Sequence, residues 1–509
     1  MASITIYDGA ESIGGNKIYV EDGGRGVFLD FGMNFARRNA FFDEFLSERD
    51  GRGIHDLIKL GMIPRIDVYR RDLIPSDLDE LVPSFSRLRP EAVLLSHAHL
   101  DHSGNMGLLD PAIPIMASAT SVAILKAMRD VGPADVTQDV AYISLRKREG
   151  NGLFLKTDRK EAYKGRQFCC PEGCRSELCD FLSDRPGSGG KNTKAFDGCG
   201  ICEELSLPFE VKSYNVNHSI YGALAYVLRS DEVSIAYSGD FRIGDDAKQL
   251  PDFMREAKNA SVLIIEGTRA GREGDAEVTE PMVYDTCRAA VEDTKGLIIA
   301  DFSSKNFERL ETFRRIAGET GRQLVVTAKD AYALYAMECA DGVCRTKGLL
   351  VYDEISDKTR RKYETDTLAS KCPIEYVGHR QIHDDPDRYI LCFSFFDMKH
   401  LLDIWPEGGS YIYSACEAFT EEQEIDFVKL KNWLDFFKIR PHGFRFTDDG
   451  LVFEKGYHAS GHASLRELAF VIDKVDPDAL IPVHTENHKW FAENWGHVRP
   501  VKNGEMLTL

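Results

Sequence analysis

The segment SHAHLDH, at positions 96–102, is the feature that most restricts what this chain can fold into. Three histidines and one aspartate lie there within six positions, directly after an apolar run at 92–95. A buried strand that ends in a loop would bring such side chains to one point at its carboxyl end. Imidazole nitrogens and carboxylate oxygens at this spacing are typical ligands of zinc or a similar divalent cation. The candidate ligands are His97, His99, Asp101 and His102.

The overall frequency of histidine favours a metal site over a polar loop with chance histidines. The chain has 14 histidines in 509 residues, so three within six positions is improbable by chance. Four ligand-type side chains are more than one metal needs from a single loop. We therefore expect two adjacent cations, which are zinc ions or manganese ions in their place.

Composition and charge set the class of protein. Hydrophobic residues make up 43% and charged residues 28% of the chain, as in soluble globular proteins, and 509 residues predict two or three domains. No apolar run approaches the roughly 20 residues of a membrane helix, and no signal-peptide pattern is present, so we expect a cytoplasmic protein without a membrane partner. The net charge of −19 argues against a protein that coats nucleic acid, but not against an enzyme whose metals supply positive charge locally.

Residues 156–205 differ from the rest of the chain. They contain six of the 12 cysteines, many glycines, lysines and arginines, and few aliphatic residues, which predicts an insertion without an apolar core of its own. The cysteine spacing predicts a structural zinc site, with reduced free thiols in a mobile loop as the alternative. The basic residues form either a nucleic-acid clamp or a solvated surface. The predicted zinc ligands are Cys170 (or Cys169), Cys174, Cys199 and Cys202.

Hydrophobic periodicity predicts the secondary structure around these motifs. Short antiparallel strands with glycine turns are expected over the first 30 residues, and helices over 77–87 and 118–130. From about 275 to 345 helical and strand patterns alternate, which indicates a parallel sheet. An acidic helix is expected near 419–436. Further strand patterns occur at 223–228, 233–237, 262–265, 411–413 and 479–483.

Three more candidate ligands lie at or beside the end of an apolar strand. They are His218, Asp240 after Ser238-Gly239, and His484 after an apolar run. Each of them alone is more often a structural histidine or a turn aspartate. Together, and in this order along the chain, they indicate a shared metal site.

The complete set resembles the metallo-β-lactamase fold superfamily, and Asp30 corresponds to the early structural aspartate of that family. The resemblance implies a four-layered αβ/βα sandwich, an α/β fold with the site at one edge of two packed sheets. It also implies two zinc ions with Asp240 bridging them. One zinc would be held by His97, His99 and His218, and the other by Asp101, His102 and His484.

The distance between the last two ligands indicates one branch of the superfamily. Asp240 and His484 are 244 positions apart, so a whole α/β unit intervenes, which resembles the β-CASP group of nucleic-acid-processing proteins. The segment HASGH at 458–462 resembles a motif of the ribonuclease J family, and 301–309 resembles a Ser-Asn-x-x-Arg motif with Lys305 in place of the serine. The implied domains are 1–255 and 441–509, forming the metallo-β-lactamase unit, and 256–440, forming the β-CASP unit.

The resemblance implies a ribonuclease that hydrolyses phosphodiester bonds by a two-zinc mechanism with a bridging hydroxide. Asp101 and Asp240 would act at the metals. His462 would act as general acid for the leaving oxygen or stabilise the phosphorane, and Glu266 would hold its orientation. Three side chains of the HASGH segment would bind the substrate phosphate, although a structural turn is the alternative for this segment. These phosphate-binding residues are His458, Ser460 and His462.

Other functions remain open from the sequence. A β-CASP enzyme acting on DNA would use the same metal centre and phosphate contacts, so RNA and single-stranded DNA are both candidate partners. A small-molecule hydrolase is mildly favoured by the acidic net charge and disfavoured by the inserted unit and the HASGH segment. A binding protein with a degenerate site is disfavoured because no expected ligand position is missing. The sequence does not decide between exonuclease and endonuclease action.

Overall fold

The computed structural model describes the chain apart from residues 1, 44, 133–134, 185–194, 245–249, 272–277, 356–362, 373, 416–425 and 449, and apart from the side chains of 365–366. Three large sheets determine the architecture. Two of them pack face to face, and the third belongs to a unit inserted between two strands of the second sheet.

In the part of the chain that the structure describes, the first sheet has eight strands, and the first and last of them along the chain are adjacent. Its first three strands along the chain pair antiparallel, as predicted, and the strand before the histidine motif joins them in parallel. In order across the sheet, the strands are Gly200–Cys202, Gln167–Cys169, Ile115–Met116, Pro90–Leu94, Arg25–Leu29, Lys17–Asp22, Ser3–Asp8 and Met506–Thr508.

The second sheet has five strands and packs on the first. Between the two sheets lies a core to which alternate strand residues contribute, such as Leu29 and Leu94 from one sheet and Tyr237 and Ile264 from the other. In order, the strands are Glu210–Asn215, Leu224–Arg229, Ser234–Tyr237, Val262–Glu266 and Ala479–Val483.

Helices cover the outer faces of both sheets. On the first sheet, Val122 and Leu125 of helix Ala119–Val131 pack in one cluster with Phe28 and Val93. The helices whose residues pack with the outer face of the second sheet are Leu250–Glu256, Leu465–Val475 and His488–Asn494. Together the helices and sheets form the predicted four-layered αβ/βα sandwich, so the predicted fold class is confirmed.

The third sheet has seven strands, all of them parallel, as the alternating pattern predicts. In order, they are Glu375–Gly378, Leu350–Asp353, Gln323–Val326, Tyr389–Leu391, Leu297–Asp301, Gly409–Tyr413 and Ile439–His442. The helices of the unit are Glu280–Glu292, Phe307–Glu319, Ala328–Asp341, His379–Asp384, Leu401–Ile404 and Phe427–Phe437. The hairpin Phe444–Thr447 and Gly450–Phe453 packs on the hydrophobic core of the inserted unit, to which strand residues of the third sheet contribute.

Sheet membership suggests boundaries for the inserted unit that differ from 256–440. Strand Val262–Glu266 pairs with Ser234–Tyr237 on one side and Ala479–Val483 on the other, so it belongs to the second sheet. We therefore propose that the inserted unit runs from Glu280 to Phe453.

One prediction of local structure fails. Residues 77–87 form short 3₁₀ turns, Ser76–Leu78 and Val82–Ser84, because Pro83 interrupts the helical pattern. Residues 156–205 pack on the main core, since two of their strands extend the first sheet and Phe168 is fully buried. Smaller elements are the strand pairs Tyr142–Ile143 with Lys164–Gly165 and Arg146–Glu149 with Phe154–Thr157, and the helices Phe35–Asn39, His55–Lys59, Leu100–Ser103 and Ser176–Ser183.

None of the helices in the described ranges is both long enough and apolar enough to cross a membrane.

A buried ion pair joins the sandwich to the inserted unit. Lys126 Nζ lies 2.7 Å from Asp130 Oδ2 on helix Ala119–Val131, and both side chains are 0% exposed. Tyr332, on helix Ala328–Asp341 of the inserted unit, donates its hydroxyl hydrogen to Asp130 at 2.8 Å. The pair is therefore desolvated and shared between the two units.

We predict that Asp130→Ala lowers the free energy of unfolding by about 3–5 kcal/mol, because Lys126 would remain buried without its partner. Urea unfolding followed by circular dichroism measures this change. The control is Asp435→Ala, which breaks the exposed pair with Lys431 and should cost less than about 0.5 kcal/mol. Equal losses in the two variants would contradict the proposed importance of the buried pair.

Candidate metal centre

The histidine motif lies in a tight loop between the strand Pro90–Leu94 and the short helix Leu100–Ser103, for which His99 is the N-cap. The loop packs on backbone from the start of the chain, where Gly15 N donates to Asp101 O at 2.9 Å. A Cβ atom on Gly32 would lie 1.6 Å from Asp101 O, so only glycine fits at that position. This close packing fixes where Asp101 and its neighbours point.

The first ligand group consists of His97, His99 and His218. The Nε2 atom of His97 lies 3.0 Å from Nδ1 of His99, and Nε2 of His218 lies 3.2 Å from the same atom. Burial lowers the pKa of His97 and His99 well below the usual range, and burial together with the neighbouring His462 lowers that of His218 to about 4. Three neutral imidazoles whose nitrogens converge in this way could hold a divalent cation.

The second ligand group consists of Asp101, His102, Asp240 and His484. Asp101 Oδ2 lies 3.0 Å from His484 Nε2, and Asp240 Oδ2 lies 3.0 Å from His102 Nε2. Burial alone would raise the pKa of both carboxyls, but the facing histidines outweigh it and lower both. All four side chains offer one atom each within 4.8 Å of one another, so they could hold a second cation.

Asp240 lies between the two groups. Its Oδ2 atom is 3.9 Å from His97 Nε2 and 3.7 Å from His484 Nε2, so it faces ligands of both sets. Its Oδ1 atom is buried and has no hydrogen-bond partner among the described residues. A buried carboxylate oxygen without a donor is costly unless a cation compensates it, so the donor set fits bound metal.

Asp30 orients the ligand His102. It accepts hydrogen bonds from Ser96 N at 2.7 Å, from Tyr237 Oη at 2.6 Å and from His102 Nδ1 at 2.7 Å. The last of these bonds leaves Nε2 of His102 to face Asp240 and a metal. Asp30 has a φ of 58°, in the left-handed region that aspartate and asparagine tolerate better than most residues.

Two further ligands are oriented by residues that the sequence analysis missed. His218 Nδ1 donates to Gly461 O at 2.7 Å, and His484 Nδ1 lies 2.8 Å from Thr268 Oγ1. Thr268 lies two residues after Glu266, at the end of a buried strand. This position could have identified Thr268 as a residue that orients a metal ligand.

Glu266 and His462 form a pair beside the second ligand group. His462 Nδ1 lies 3.1 Å from Glu266 Oε2 and 3.8 Å from Asp240 Oδ2. Glu266 also accepts hydrogen bonds from the backbone N–H groups of Phe241 and Ala463, at 3.2 and 3.3 Å. The carboxylate is thus fixed on several sides and holds the imidazole ring in one orientation.

The loop that carries His462 also contains His458 and Ser460. Both ring nitrogens of His458 are buried and have no hydrogen-bond partner in the part of the chain that the structure describes. Burial, together with the charge of Arg309, lowers the pKa of His458 to about 3. Ser460 Oγ accepts a hydrogen bond from His462 N at 3.1 Å. The loop therefore combines a fixed backbone with an unsatisfied imidazole close to positive charge.

The motif at 301–309 contributes to this region in two ways. Arg309 is fully buried and donates to both carboxylate oxygens of Glu280 at 3.0 Å and to Tyr457 O at 3.0 Å, so it fixes the backbone next to His458. Lys305 lies near the first ligand group, where its positive charge acts on His99.

The predicted cysteine site does not form in the described residues. Cys170, Cys174 and Cys199 belong to the core on one side of the first sheet, whereas Cys202 packs on the opposite side. Cys199 Sγ donates to Ala141 O at 3.2 Å, and no group of three described cysteines has its sulfurs within 4.8 Å of one another. The spacing of cysteines alone did not reveal that alternate strand residues face opposite sides.

Burial removes one basic residue of 156–205 from the predicted nucleic-acid clamp, whereas Lys156, Lys160 and Lys164 are exposed, so the clamp stays a prediction. Arg166 is buried and donates to backbone carbonyls, including Val140 O at 3.1 Å and Leu109 O at 3.0 Å. Arg185, Lys191 and Lys194 lie outside the described residues.

Comparison with known proteins gives relatives along most of the chain, although no protein-family model matches it. Ribonuclease J of Pyrococcus abyssi is 22% identical over 495 residues, which cover 96% of this chain and 90% of that protein. Ribonuclease J of Methanocaldococcus jannaschii is 21% identical over 529 residues, which cover 99% of this chain and 98% of that protein. Ribonuclease J 2 of Streptococcus pyogenes is 20% identical over 74% of this chain and 68% of that protein.

A solved structure agrees with the fold. The crystal structure of a protein of unknown function from Enterococcus faecalis is similar over 100% of both chains, with a TM-score of 0.64 and 21% identity. The chain therefore has the fold expected of the metallo-β-lactamase superfamily, and along most of its length it is similar to proteins named ribonuclease J, which are members of the β-CASP group.

Proposed function

We propose that this protein is a metal-dependent phosphodiesterase that hydrolyses RNA and uses two zinc ions. The observation that carries the proposal is Asp240, whose Oδ2 atom faces both ligand groups while its Oδ1 atom is buried without a hydrogen-bond donor in the described residues. RNA is the proposed substrate because relatives along most of the chain are named ribonuclease J.

The metals would be held by residues of both sheets. His97, His99 and His218 would hold one ion, and Asp101, His102 and His484 the other, with Asp240 shared. A pair of divalent cations, when bound, lowers the pKa of a water molecule toward neutrality and stabilises charge on the attacking and leaving oxygens of a phosphodiester. Asp240 would orient that water as a hydrogen-bond acceptor, since its carboxylate lies between the two groups.

His462 would donate a proton to the leaving oxygen. Its Nδ1 atom is held by Glu266 at 3.1 Å, which fixes the ring and favours the protonated imidazole that a general acid needs. Glu266 acts through His462 and is therefore a positioning residue.

His458 and Ser460 would bind the substrate phosphate. The two ring nitrogens of His458 have no partner among the described residues, and Arg242, Arg269 and Arg309 are close enough for their charges to act on the ring. A phosphate oxygen would accept the hydrogen bond of the ring N–H in a region of positive charge.

The proposal predicts that the zinc-loaded protein cleaves end-labelled single-stranded RNA at least tenfold faster than DNA of the same sequence. The product ladder on a denaturing gel measures the choice of polymer and also separates exonuclease from endonuclease action. Faster cleavage of DNA would support the alternative of a DNA-processing β-CASP enzyme, and cleavage of neither would contradict nuclease function.

We predict that His462→Ala lowers kcat by about 10²–10⁴-fold, the usual contribution of a general acid. Glu266→Gln should lower kcat less and shift the alkaline limb of the pH profile to lower pH, because it weakens the bond that favours protonated His462. Initial rates across pH, together with zinc content by mass spectrometry, measure both effects. His383→Ala, at an exposed histidine of the inserted unit, is the control and should stay within twofold of the unsubstituted protein. Unchanged turnover in His462→Ala would remove this residue from the proposed role.

We predict that Asp30→Asn weakens zinc binding by about 10–100-fold, the usual effect of removing a group that orients a metal-bound histidine. Asparagine tolerates the left-handed backbone, but its NH₂ group cannot accept the hydrogen bonds that His102 and Tyr237 donate to Oδ2. Competition with a fluorescent chelator measures affinity, and circular dichroism checks folding. The control is Asp473→Asn on the outer helix Leu465–Val475, which should leave affinity unchanged. Equal affinities in the two variants would show that Asp30 does not orient a ligand.

A further inference from the structure

Two free cysteines, Cys170 and Cys174, lie at the two ends of a tight turn near one edge of the first sheet. The strand Gln167–Cys169 ends directly before this turn. Pro171 and Gly173 occupy the second and fourth positions of the turn, where β-turns favour these residue types. Gly173 N donates to Cys170 O at 2.9 Å and closes the turn. The chain therefore brings the second cysteine back toward the first.

The two side chains lie on the same side of the first sheet. Cys170 is buried in the core on the outer face of that sheet, and Cys174 packs against the same core. Cys169 instead belongs to the core between the two sheets, because successive strand residues face opposite sides. The fold therefore pairs Cys170 with Cys174 and not with its neighbour in the chain.

Hydrogen bonds to neighbouring segments hold the turn in place. Glu172 Oε1 accepts a hydrogen bond from Ala119 N at 2.6 Å, at the start of helix Ala119–Val131. Ala117 N donates to Cys169 O at 3.0 Å, directly before the turn. Because the backbone is fixed on both sides, a disulfide between the two cysteines of the turn would require little backbone movement.

The two thiols differ in accessibility and in acidity. Cys170 is 5% exposed, whereas Cys174 is half-buried and lies between the exposed residues Gly173 and Arg175. A hydrogen bond from the Cys170 thiol lowers the pKa of Cys174, and the same bond together with burial raises the pKa of Cys170. Since the thiolate is the attacking form, a reagent from solution would react with Cys174 first.

We propose that Cys170 and Cys174 form a thiol–disulfide exchange site that reacts with disulfides of small thiols and lies outside both metal-ligand groups. The Cys174 thiolate attacks one sulfur of the small disulfide, forms a mixed disulfide and displaces a small thiolate. That thiolate takes the proton of Cys170, which then attacks the Cys174 sulfur and displaces a second small thiolate. The protein loses two electrons and one proton, and the small disulfide is reduced to one thiol and one thiolate.

The short loop favours a reversible bond over a structural one. A disulfide stabilises a protein mainly by restricting the unfolded chain, and this effect decreases as the closed loop becomes shorter. Only three residues separate Cys170 from Cys174, so their bond would add little stability. The half-buried Cys174 sulfur also stays open to attack by a reducing thiol, which is typical of labile disulfides.

The test treats the reduced, zinc-loaded full chain with oxidised glutathione near neutral pH, blocks the remaining thiols with N-ethylmaleimide and analyses tryptic peptides by mass spectrometry. Residues 167–175 form one tryptic peptide, which contains Cys169 and both cysteines of the turn. We expect a disulfide between Cys170 and Cys174 in most chains and recovery of both thiols after dithiothreitol. Blocked thiols at both positions after oxidation, or a bond from either cysteine to Cys169, would overturn the proposal.

Cys170→Ala keeps the accessible thiol and removes the second one. We expect a stable mixed disulfide with glutathione at Cys174 in this variant, and slower alkylation of Cys174 by iodoacetamide because the bond that lowers its pKa is lost. Cys174→Ala should leave the buried Cys170 unmodified. Equal amounts of mixed disulfide in Cys170→Ala and the unsubstituted protein, or modification of Cys170 in a folded Cys174→Ala variant, would contradict the assigned order of attack.

Cys202→Ala is the matched control. Cys202 lies opposite Cys169 in the adjacent strand and packs on the other side of the sheet, so this variant should form the disulfide of the turn to the same extent. Loss of that disulfide in Cys202→Ala would overturn the choice of pair. Loss of one zinc per chain in both Cys170→Ala and Cys174→Ala would show that the thiols hold a metal, and would overturn the exchange site. The exchange uses no residue of the metal centre, so its outcome is independent of the proposed nuclease function.

Discussion

The carboxylate of Asp240 is the interaction on which the site depends. It is 2% exposed, lies between two sets of ligands and has one oxygen without a hydrogen-bond donor in the described residues. A buried negative charge in such a place needs compensation from cations, and His102 and His484 alone face only one of its oxygens. The packing of the two sheets therefore has to hold several histidines in fixed positions around Asp240. The contacts of Asp30, Thr268 and Gly461 fix the orientation of three of these histidine rings.

Much of the site could be predicted because its residues share one context. Nearly every candidate ligand follows or lies beside an apolar strand, and the parallel strands of the second sheet end at a common edge. The residues that orient the ligands could not be predicted in the same way. Thr268 and the carbonyl of Gly461 are ordinary groups, and only the folded backbone shows which imidazole they contact.

The errors of the sequence analysis also have physical causes. The cysteine spacing suggested a zinc site, but spacing does not show on which face of a strand a side chain lies, and Cys202 faces away from Cys199. Residues 156–205 lack long apolar runs, and Phe168 and Leu182 anchor them to the main core. The boundary at 256 stays a prediction, and the pairing partners of strand Val262–Glu266 belong to the sandwich, which favours a later start of the inserted unit.

The pairing of Val262–Glu266 with Ala479–Val483 has a consequence for the order of folding during synthesis. The ribosome releases the earlier strand first, and its partner emerges only after the whole inserted unit has been translated. Until then the outer edge of the second sheet stays open, and His484 is not yet available to the other ligands. A nascent chain of this kind can build most of its core while it is still tethered, but it gains a complete metal-binding pocket only after the inserted unit and the strand Ala479–Val483 have both been translated.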